Sequence, residues 1–268
     1  MTIPIFQVDA FAKRAFEGNP AAVCPLADWL PDVELQAIAA ENNLSETAYF
    51  VGQGARIPLR WFTPRLEVNL CGHATLAAAH VLLTHCGLKR QSIVFETLSG
   101  PLTVRTDSDA LVLDLPAIPT KPVDHTAVDW AALGPVRPED VHFVRTANGA
   151  DHFLMAYRTR EQIAALRPDF PRMTFNAIAT APGETGSGLD FMSRYFAPMA
   201  GVNEDPVTGS AHCALTPFWV SRLGRQPLSA RQISARGGTF LVRLETGRVY
   251  LTGHCVTYMQ GSIAISGR

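Results

Sequence analysis

The spacing of apolar and polar residues predicts a chain built mostly from short strands. Nine segments alternate between apolar and polar positions and are bounded by Gly, Pro or Asp, which is typical of strands separated by turns. They are Leu59–Phe62, Ser92–Glu96, Leu102–Arg105, Leu111–Leu115, Val141–Arg145, Phe153–Tyr157, Phe191–Phe196, Phe240–Leu244 and Arg248–Thr252. We therefore expect sheets to dominate both halves of the chain.

Two helical segments depart from this pattern. His73–Cys86 and Ser210–Leu223 are apolar on nearly all faces, and a helix without a polar face must be buried all round. A third segment, Pro31–Asn43, has the apolar stripe of an ordinary surface helix. The predicted fold class is α+β, with two domains that each wrap a curved or barrel-like sheet around one central buried helix.

The two halves also repeat each other in sequence. RWFTPRLEVNLCGHATLAAA from Arg60 matches RYFAPMAGVNEDPVTGSAHCAL from Arg194, and the second copy carries three additional residues, Glu204 to Pro206. Two long copies indicate duplicated domains rather than a solenoid. We expect a first domain at 1–122 and a second at 126–257, and the last strand, at about 258–268, could return to the first.

Composition and charge narrow the range of partners. A net charge of −1 gives no basic field for nucleic acid or anionic lipid, so we expect a small-molecule partner. Five cysteines without a CxxC pair argue against a disulfide framework or a zinc ribbon and favour a reducing compartment. The N-terminal residues lack the apolar core of a secretory signal, and no segment is a good membrane span. The expected location is cytoplasmic.

Both predicted central helices begin directly after a glycine, Gly72 in the first copy and Gly209 in the second. The first N–H groups of a helix have no partner within it, and the helix dipole makes that end partly positive. Two such ends that faced one cleft between the domains would hold an anion, and a carboxylate is the expected guest. Close packing of a buried helix would also require a glycine at these positions.

Polar residues close to the helix starts are the candidates for chemistry. Asp205 and Ser210 flank the second start, although an Asp-Pro turn or a simple helix cap would equally explain Asp205. His73 can exchange a proton near neutral pH, but a lone histidine at a helix start is commonly structural. Cys71 is either a nucleophile or base, or a small packing residue.

Several long motifs give the chain a family resemblance. GNPAAV from Gly18, NNLSETAYF from Asn42, ARGGTF from Ala235 and the two repeat segments together resemble the PhzF-like isomerase family of phenazine biosynthesis. The resemblance covers almost the whole chain and implies the diaminopimelate-epimerase fold with an active site between two similar domains. It also implies a homodimer, and an enzyme that uses neither a cofactor nor a metal.

The resemblance assigns roles to individual residues. Glu46 would be the general acid and base that moves a proton on a small cyclic or amino carboxylate. His73 and Asp205 would line the site and orient or protonate the substrate, whereas Gly72, Gly209 and Ser210 would hold its carboxylate. A solvated turn glutamate is the alternative for Glu46.

Two other functions stay open on sequence grounds. An epimerase or racemase needs a base on each face of a carbon, and the related epimerases use two cysteines at the two helix starts. This chain has Cys71 at the first start and Thr208 at the second, which disfavours a thiol pair but leaves a mixed pair of Glu46 with Asp205 or His73. The other alternative is a small-carboxylate binding protein that lacks catalysis. Glu184, 138 positions after Glu46, is a weak candidate for its counterpart.

Overall fold

The computed structural model of the protein describes residues 1–145 and 151–265. The chain forms two compact units. The first combines Met1–Leu115 with the residues from Thr252 onward, and the second is Pro116–Leu251. Within the described ranges, no helix is both long enough and apolar enough to cross a membrane.

The first unit is a sheet with two helices. Its strands are β1 (Thr2–Ala10), β2 (Asn19–Leu26), β3 (Glu46–Val51), β4 (Arg56–Phe62), β5 (Glu67–Val68), β6 (Ser92–Thr97), β7 (Gly100–Asp107), β8 (Ala110–Pro116) and the C-terminal β18 (Cys255–Ala264). Its helices are α1 (Asp32–Asn42) and α2 (Gly72–Thr84).

The strands of this unit pair in the order β18–β1–β2–β3–β4–β6–β7–β8, with the short β5 added to β4. The β2–β3 and β4–β6 pairs are parallel and the others are antiparallel. A helix follows the first strand of each parallel pair before the chain returns, since parallel neighbours need a crossover connection. These two crossovers contain α1 and α2.

The second unit has corresponding elements. Its strands are β9 (Thr120–Val123), β10 (Asp140–Arg145), β11 (Asp151–Ala156), β12 (Asn176–Pro182), β13 (Phe191–Ala197), β14 (Val202–Asp205), β15 (Leu228–Gln232), β16 (Gly238–Glu245) and β17 (Arg248–Gly253). Its α-helices are α3 (Arg160–Ala164) and α4 (Gly209–Leu223), and its short 3-10 helices are His125–Ala127, Trp130–Leu133, Phe170–Arg172 and Pro198–Ala200.

The second unit repeats the strand pairing of the first. The order is β9–β10–β11–β12–β13–β15–β16, with β14 added to β13, and the parallel pairs are β11–β12 and β13–β15. Thr246 and Gly247, both at positive φ, join β16 to β17 in the manner of a two-residue hairpin turn. The same succession of antiparallel and parallel pairs in both units confirms the predicted α+β fold with an internal duplication.

Each sheet packs against its own central helix. α2 contacts β1, β2, β3, β7 and β18, and most of its residues are buried, including Leu76, Val81 and Leu82. In the second unit the Trp219 indole of α4 stacks on Phe191 and donates a hydrogen bond to Thr180 Oγ1. The prediction of buried central helices is confirmed, because apolar side chains cover these helices on several sides.

A proline lies inside α4, where it removes one helical hydrogen bond. Pro217 leaves the carbonyl of Cys213 without its usual helical donor. The backbone N–H of Ile118 donates to that carbonyl at 2.9 Å. The helix therefore continues through Pro217 because a loop supplies the missing donor.

The other side of each sheet carries a second apolar core. In the first unit Leu35 and Ile38 of α1 pack with Tyr49 and Phe62 on the strands. The Tyr49 hydroxyl is buried there and donates to the carbonyl of Leu35 at 2.7 Å. These contacts fix α1 against β3, and the chain between them leads directly into Glu46.

Candidate active site

Glu46 is the first residue of β3 and comes shortly after the end of α1. The helix ends at Asn42, and the positive φ of 49° at the next residue, Asn43, turns the chain toward the sheet. Glu46 pairs with Ala21 of the neighbouring β2. Its side chain is 18% exposed, so most of the carboxylate is shielded from water.

His73 lies beside Glu46 in the first turn of α2. Its side chain is 7% exposed, and Nε2 is 3.0 Å from Glu46 Oε2. That oxygen accepts no well-aligned hydrogen bond from the described residues, so the short distance reflects a charge contact rather than an ideal hydrogen bond. The fold thus places the Glu46 carboxylate and the His73 imidazole in direct contact.

Asn19 supports the imidazole from its other side. It is fully buried at the start of β2, with Nδ2 at 3.3 Å from His73 Nδ1 and Oδ1 accepting from Ser45 Oγ at 3.1 Å. An amide donor at Nδ1 leaves the proton of a neutral imidazole on Nε2, the nitrogen that faces Glu46. A rotated amide would present its oxygen to Nδ1–H, so Asn19 suits both protonation states.

The charge balance of this cluster favours a protonated imidazole. Burial alone would lower the pKa of His73, but the interactions of the ring with Cys71 and Glu46 outweigh burial and raise that pKa well above its ordinary value. Burial, followed by the charge of Glu46, raises the pKa of the Cys71 thiol to about 11. The thiol is therefore protonated near neutral pH.

Cys71 is the residue that precedes the first turn of α2. Its sulfur lies 3.5 Å from Nδ1 and 3.9 Å from Nε2 of His73. Its carbonyl accepts a hydrogen bond from the Thr75 hydroxyl one turn later. No side chain in the described ranges caps α2, so its first N–H groups keep their capacity to bind an anion.

The backbone before Asn19 tolerates only glycine. Gly18 has a φ of +70°, and a Cβ at this position would lie 2.2 Å from the carbonyl oxygen of Ala10. The close approach of the two chains holds the start of β2 against β1. It thereby fixes the position from which Asn19 reaches His73.

Asp205 ends β14 in the second unit and is bound to the residue that precedes α4. The Thr208 hydroxyl donates a short hydrogen bond to Asp205 Oδ2. The Gln232 amide links the same two residues, because it donates to the carbonyl of Asp205 at 2.7 Å and accepts from Thr208 N at 2.9 Å. Asp205 does not cap α4, since the cap position belongs to Thr208.

This arrangement leaves the start of α4 without a side-chain cap among the described residues. A threonine at this position would normally cap the helix by accepting a hydrogen bond from a backbone N–H, but here its hydroxyl donates to Asp205 and accepts from the Gln232 amide. Gly209 is buried and Ser210 is exposed in the first turn. The start of α4 therefore resembles that of α2, with open N–H groups beside a carboxylate.

His212 has a structural role that the sequence did not indicate. Its Nδ1 lies 2.7 Å from the carbonyl of Thr208, and its ring packs on Phe240 at 3.8 Å between centroids. Complete burial lowers the pKa of His212 to about 4, so the neutral ring donates from Nδ1. His212 occupies the place of Thr75 in the first unit, and both side chains bind the carbonyl just before the helix.

The strand registers identify the counterpart of Glu46 in the second unit. Thr47 pairs with Phe62 in the first unit, and Ala177 pairs with Phe196, the repeat partner of Phe62, in the second. The residue before Ala177 is Asn176, which therefore occupies the position of Glu46. Glu184 lies beyond the end of β12, where its carboxylate pairs with Arg160 on the surface.

Asn176 has polar neighbours of its own. Its Nδ2 lies 3.3 Å from His152 Nε2, which is 2.7 Å from the Tyr195 hydroxyl, and its Oδ1 accepts from Met199 N at 3.1 Å. Burial and the charge of Asp205 raise the pKa of Tyr195, so its hydroxyl stays protonated. His152 was missed from the sequence because nothing in its local pattern separates it from other strand residues.

The structure thus groups the predicted site residues within each unit. In the first unit Glu46 contacts His73 directly, and Gly72 begins the helix that carries His73. In the second unit Asp205 contacts Thr208, and Gly209 and Ser210 follow in the first turn of α4. Asn19, Ser45 and Cys71 complete the first group: Asn19 and Cys71 contact His73, and Ser45 donates to Asn19.

Comparisons with known proteins agree with this architecture. An uncharacterized isomerase of Pseudomonas aeruginosa is 46% identical over 264 residues, which are 98% of this chain and 99% of that protein. A crystal structure of a phenazine biosynthesis protein of the PhzF family from Enterococcus faecalis has a TM-score of 0.92 at 39% identity, covering 99% of this chain and 100% of that one.

A more distant structure shows the fold alone. A hydroxyproline epimerase from Agrobacterium vitis has a TM-score of 0.59 at 12% identity and covers 98% of this chain and 93% of that one. The family model for the phenazine biosynthesis-like proteins PhzC and PhzF matches residues 8–261. Because that match covers nearly the whole chain, the protein belongs to the PhzC/PhzF family of phenazine biosynthesis-like proteins.

Proposed function

We propose that this protein is a cofactor-independent isomerase that moves a proton between two carbons of a small cyclic or amino carboxylate. The observation that carries the proposal is the contact between the shielded Glu46 carboxylate and His73 at the start of α2. The naming of close relatives as isomerases supports the reaction class. Glu46 is the proposed general acid and base.

The proposed reaction needs one carboxylate that acts twice. Glu46 takes a proton from one carbon of the bound substrate and becomes a carboxylic acid. The same acid then returns the proton at a second carbon, which shifts the position of the double bond. Proton transfer by a positioned side chain typically contributes about 10²- to 10⁴-fold to the rate.

His73 has a supporting role in this scheme. Its Nε2 faces Glu46, so a protonated imidazole stabilises the carboxylate before the transfer and orients it. Asn19 fixes the plane of the ring by its contact at Nδ1. The imidazolium is also a proton donor of suitable strength for an enol or carbonyl oxygen of the substrate.

In the proposal, the N–H groups at the helix starts bind the substrate carboxylate. The open N–H groups at Gly72, and those at Gly209 and Ser210, are the donors that the proposal assigns to it. A charge at a helix N-terminus gains about 0.3 to 1 kcal/mol when exposed and about 2 kcal/mol when partly buried. This energy orients the substrate, whereas the chemistry depends on Glu46.

Asp205 is the proposed third member of the catalytic group. Its Oδ2 accepts the Thr208 proton, which keeps the carboxylate directed toward the start of α4. The Gln232 amide holds the backbone on both sides of this contact. In the proposal, Asp205 orients or protonates the substrate next to Ser210.

The two helix starts argue against a two-thiol epimerase. The counterpart of Cys71 is Thr208, and the counterpart of Glu46 is Asn176, neither of which is a base near neutral pH. Cys71 itself is a protonated, buried thiol. An epimerase would therefore need Glu46 to work with His73 or Asp205, and a binding protein without catalysis would need none of the three.

Solvent isotope exchange tests the proposed function. The protein is incubated in heavy water with a panel of small cyclic and amino carboxylates, and deuterium uptake and double-bond position are followed by NMR. We expect Glu46→Gln to lower turnover by about 10²- to 10⁴-fold while calorimetry still detects binding. Glu41→Gln, on the exposed face of α1, is the matched control and should keep full activity.

The outcomes separate the three functions. Retained turnover in Glu46→Gln would exclude Glu46 as the base. Loss of optical rotation without a shifted double bond would indicate a racemase, and binding without any deuterium uptake would indicate a non-catalytic binding protein.

A further inference from the structure

The second unit has a polar cluster at the position that Glu46 occupies in the first. Asn176 is the counterpart of Glu46, and it pairs with His152 in the parallel β11–β12 ladder. Tyr195 lies on β13, and its hydroxyl reaches over β12 to within 2.7 Å of His152 Nε2. The proposed reaction assigns no role to these three side chains.

The cluster lies on the face of the sheet that packs against α4. Asn176 and Thr180 are four residues apart in β12, so their side chains point to the same face. Thr180 accepts a hydrogen bond from Trp219 of α4, which identifies that face. Tyr195 pairs with Ile178, which lies between the two, and therefore also points toward α4.

The hydrogen bonds of the cluster fix the direction of the Tyr195 proton. The backbone N–H of Met199 donates to Asn176 Oδ1 at 3.1 Å, so the amide nitrogen is the atom that faces His152 Nε2, at 3.3 Å. Two N–H groups cannot bond to each other, so Nε2 carries no proton and is an acceptor. The Tyr195 hydroxyl, which lies beside the same nitrogen, must donate to it.

The Tyr195 oxygen keeps its capacity to accept a hydrogen bond from a ligand. A phenol oxygen can accept while its own proton is donated elsewhere. In the part of the chain that the structure describes, no residue donates to this oxygen. Tyr195 is partly exposed whereas Asn176 and His152 are buried, so Tyr195 is the member of the cluster that a ligand can reach. Its ring is held by stacking on His152, with 8° between the two planes.

The charge near Tyr195 favours a ligand group that donates. Asp205 lies directly opposite Tyr195 in the β13–β14 pair, and its carboxylate is close enough to act on the Tyr195 hydroxyl. Residues opposite each other in an antiparallel pair point to the same face of the sheet. A donor that binds the Tyr195 oxygen is therefore attracted by the carboxylate as well, and most strongly if it is a cation.

We propose that Tyr195 is a specificity-determining residue whose oxygen accepts a hydrogen bond from an ammonium or hydroxyl group of the substrate carboxylate. His152 and Asn176 are positioning residues, because they hold the Tyr195 proton at His152. This role rests on the proposed function, which assigns the start of α4 to the substrate. A site built to bind such a group discriminates strongly against an analogue that lacks it, since its polar atom is then left unpaired. The preferred substrates are thus amino or hydroxy carboxylates.

Calorimetry with three related ligands tests the role of Tyr195. They are cis-2-aminocyclohexanecarboxylate, cis-2-hydroxycyclohexanecarboxylate and cyclohexanecarboxylate, which has no donor beside its carboxylate. We expect the wild type to bind at least one of the first two more tightly than the third by about 10- to 100-fold, as for a hydrogen bond that involves a charged group. Tighter binding of the amino compound identifies an ammonium donor, and equal or tighter binding of the hydroxy compound identifies a hydroxyl donor.

Three variants separate recognition from packing. Tyr195→Phe removes only the oxygen, so it should abolish the preference and leave the affinity for cyclohexanecarboxylate unchanged. Tyr258→Phe, at an exposed tyrosine of β18, is the matched control and should keep the preference. His152→Phe keeps a ring beside Tyr195 but removes the acceptor of its proton, so its preference should lie between those of the wild type and Tyr195→Phe. A purely structural role would change the affinity for all three ligands alike.

Circular dichroism and thermal unfolding show whether each variant has folded. The proposal is overturned if the wild type prefers neither donor-bearing ligand, or if folded Tyr195→Phe keeps the full preference. If Tyr195→Phe does not fold, His152→Phe decides, because an undiminished preference in that variant would show that the direction of the Tyr195 hydrogen bond has no effect on recognition.

Isotope exchange separates this proposal from the proposed function. A preference that depends on Tyr195, with no deuterium uptake into any carboxylate in heavy water, would support the binding role and refute the isomerase. Deuterium uptake at equal kcat/KM into carboxylates with and without a donor group would refute the role of Tyr195 and leave the isomerase function standing.

Discussion

His212 makes the second unit sensitive to acid. The ring is completely buried, donates from Nδ1 to the carbonyl of Thr208 and packs on Phe240. Protonation would place a charge at Nε2, which has no hydrogen-bond partner among the described residues. Burial therefore lowers the pKa of His212 to about 4, compared with 6.5 for an ordinary histidine.

The direction of the effect follows from proton linkage. Above pH 6.5 the ring is neutral in both the folded and the unfolded chain and has no effect on the pH dependence. Between pH 6.5 and about 4 only the unfolded chain binds the proton, so the free energy of unfolding falls as the pH falls. The full difference corresponds to about 3 kcal/mol, which is a large part of the stability of a typical domain.

Substitution of His212 by asparagine isolates this contribution. The amide nitrogen can still donate to the Thr208 carbonyl, but the side chain no longer titrates. We expect His212→Asn to lower stability at pH 7 through lost packing and to flatten the fall in stability between pH 6.5 and 4. Urea unfolding followed by tryptophan fluorescence at several pH values measures both effects.

Phe240→Leu is the matched control, because it disturbs the same packing and leaves His212 able to titrate. It should lower the free energy of unfolding at every pH and keep most of the acid dependence. The reasoning would be refuted if His212→Asn and the wild type lost the same free energy between pH 6.5 and 4. It would also be refuted if Phe240→Leu removed the dependence as fully as His212→Asn.

Three other substitutions, and one control, test the site and its support. Asn19→Asp places a negative charge beside His73 and should raise the pKa of that ring further, by about 1 to 3 pH units in an NMR titration. Gly18→Ala should cost about 2 to 4 kcal/mol in urea unfolding, because its Cβ would overlap a backbone carbonyl. Gly87→Ala, which also has positive φ but open space around its Cβ, should cost only about 1 to 2 kcal/mol. Asp205→Asn should lower turnover at least 10-fold with the fold intact by circular dichroism, and unchanged turnover would remove Asp205 from the proposed mechanism.

The strands that could be predicted are those with one buried and one less buried face. In β7 and β8, Leu102, Val104, Leu111 and Leu113 point into the core and alternate with more exposed residues, so the period of two is visible in the sequence. The central helices were predictable for the opposite reason, because burial on all sides leaves few polar residues in them.

The two strands at the N-terminal end of the chain were missed because their patterns are irregular. A bulge between Gln7 and Val8 shifts the alternation of β1 by one residue. β2 contains Pro20 and Pro25, residues that are normally depleted in strands, and it is buried on both faces. The last strand was predicted at about 258–268, whereas β18 begins at Cys255 and is mostly exposed, so its residues carry little apolar signal to mark its bounds.

The supporting residues of the site could not be found from local sequence. Asn19 is 54 positions from His73, and only the pairing of β1 with β2 and the packing of α2 bring the two together. A buried asparagine and an exposed turn asparagine look the same in one sequence. His73 was a candidate because of its place at a helix start, whereas Glu46 was named through family resemblance, since spacing alone did not distinguish Glu46 from the other acidic residues.

The duplication gives two helix starts of the same construction, but their side chains have diverged in a way that matters for the proposed reaction. The first unit has Glu46 and a protonated His73 in contact, which is an acid–base pair. In the second unit the register places Asn176 where Glu46 would be, and the carboxylate of Asp205 comes instead from the three residues that lengthen the segment before α4. Asp205 lies in an insertion before α4, whereas Glu46 is the first residue of β3. Because the two carboxylates come from different parts of the unit, we do not expect them to perform the same step. Two equivalent bases, one from each unit, would fit a racemase, which needs a base on each face of a carbon. One acid–base pair and one anchored carboxylate fit instead an isomerase in which a single glutamate removes the proton and returns it.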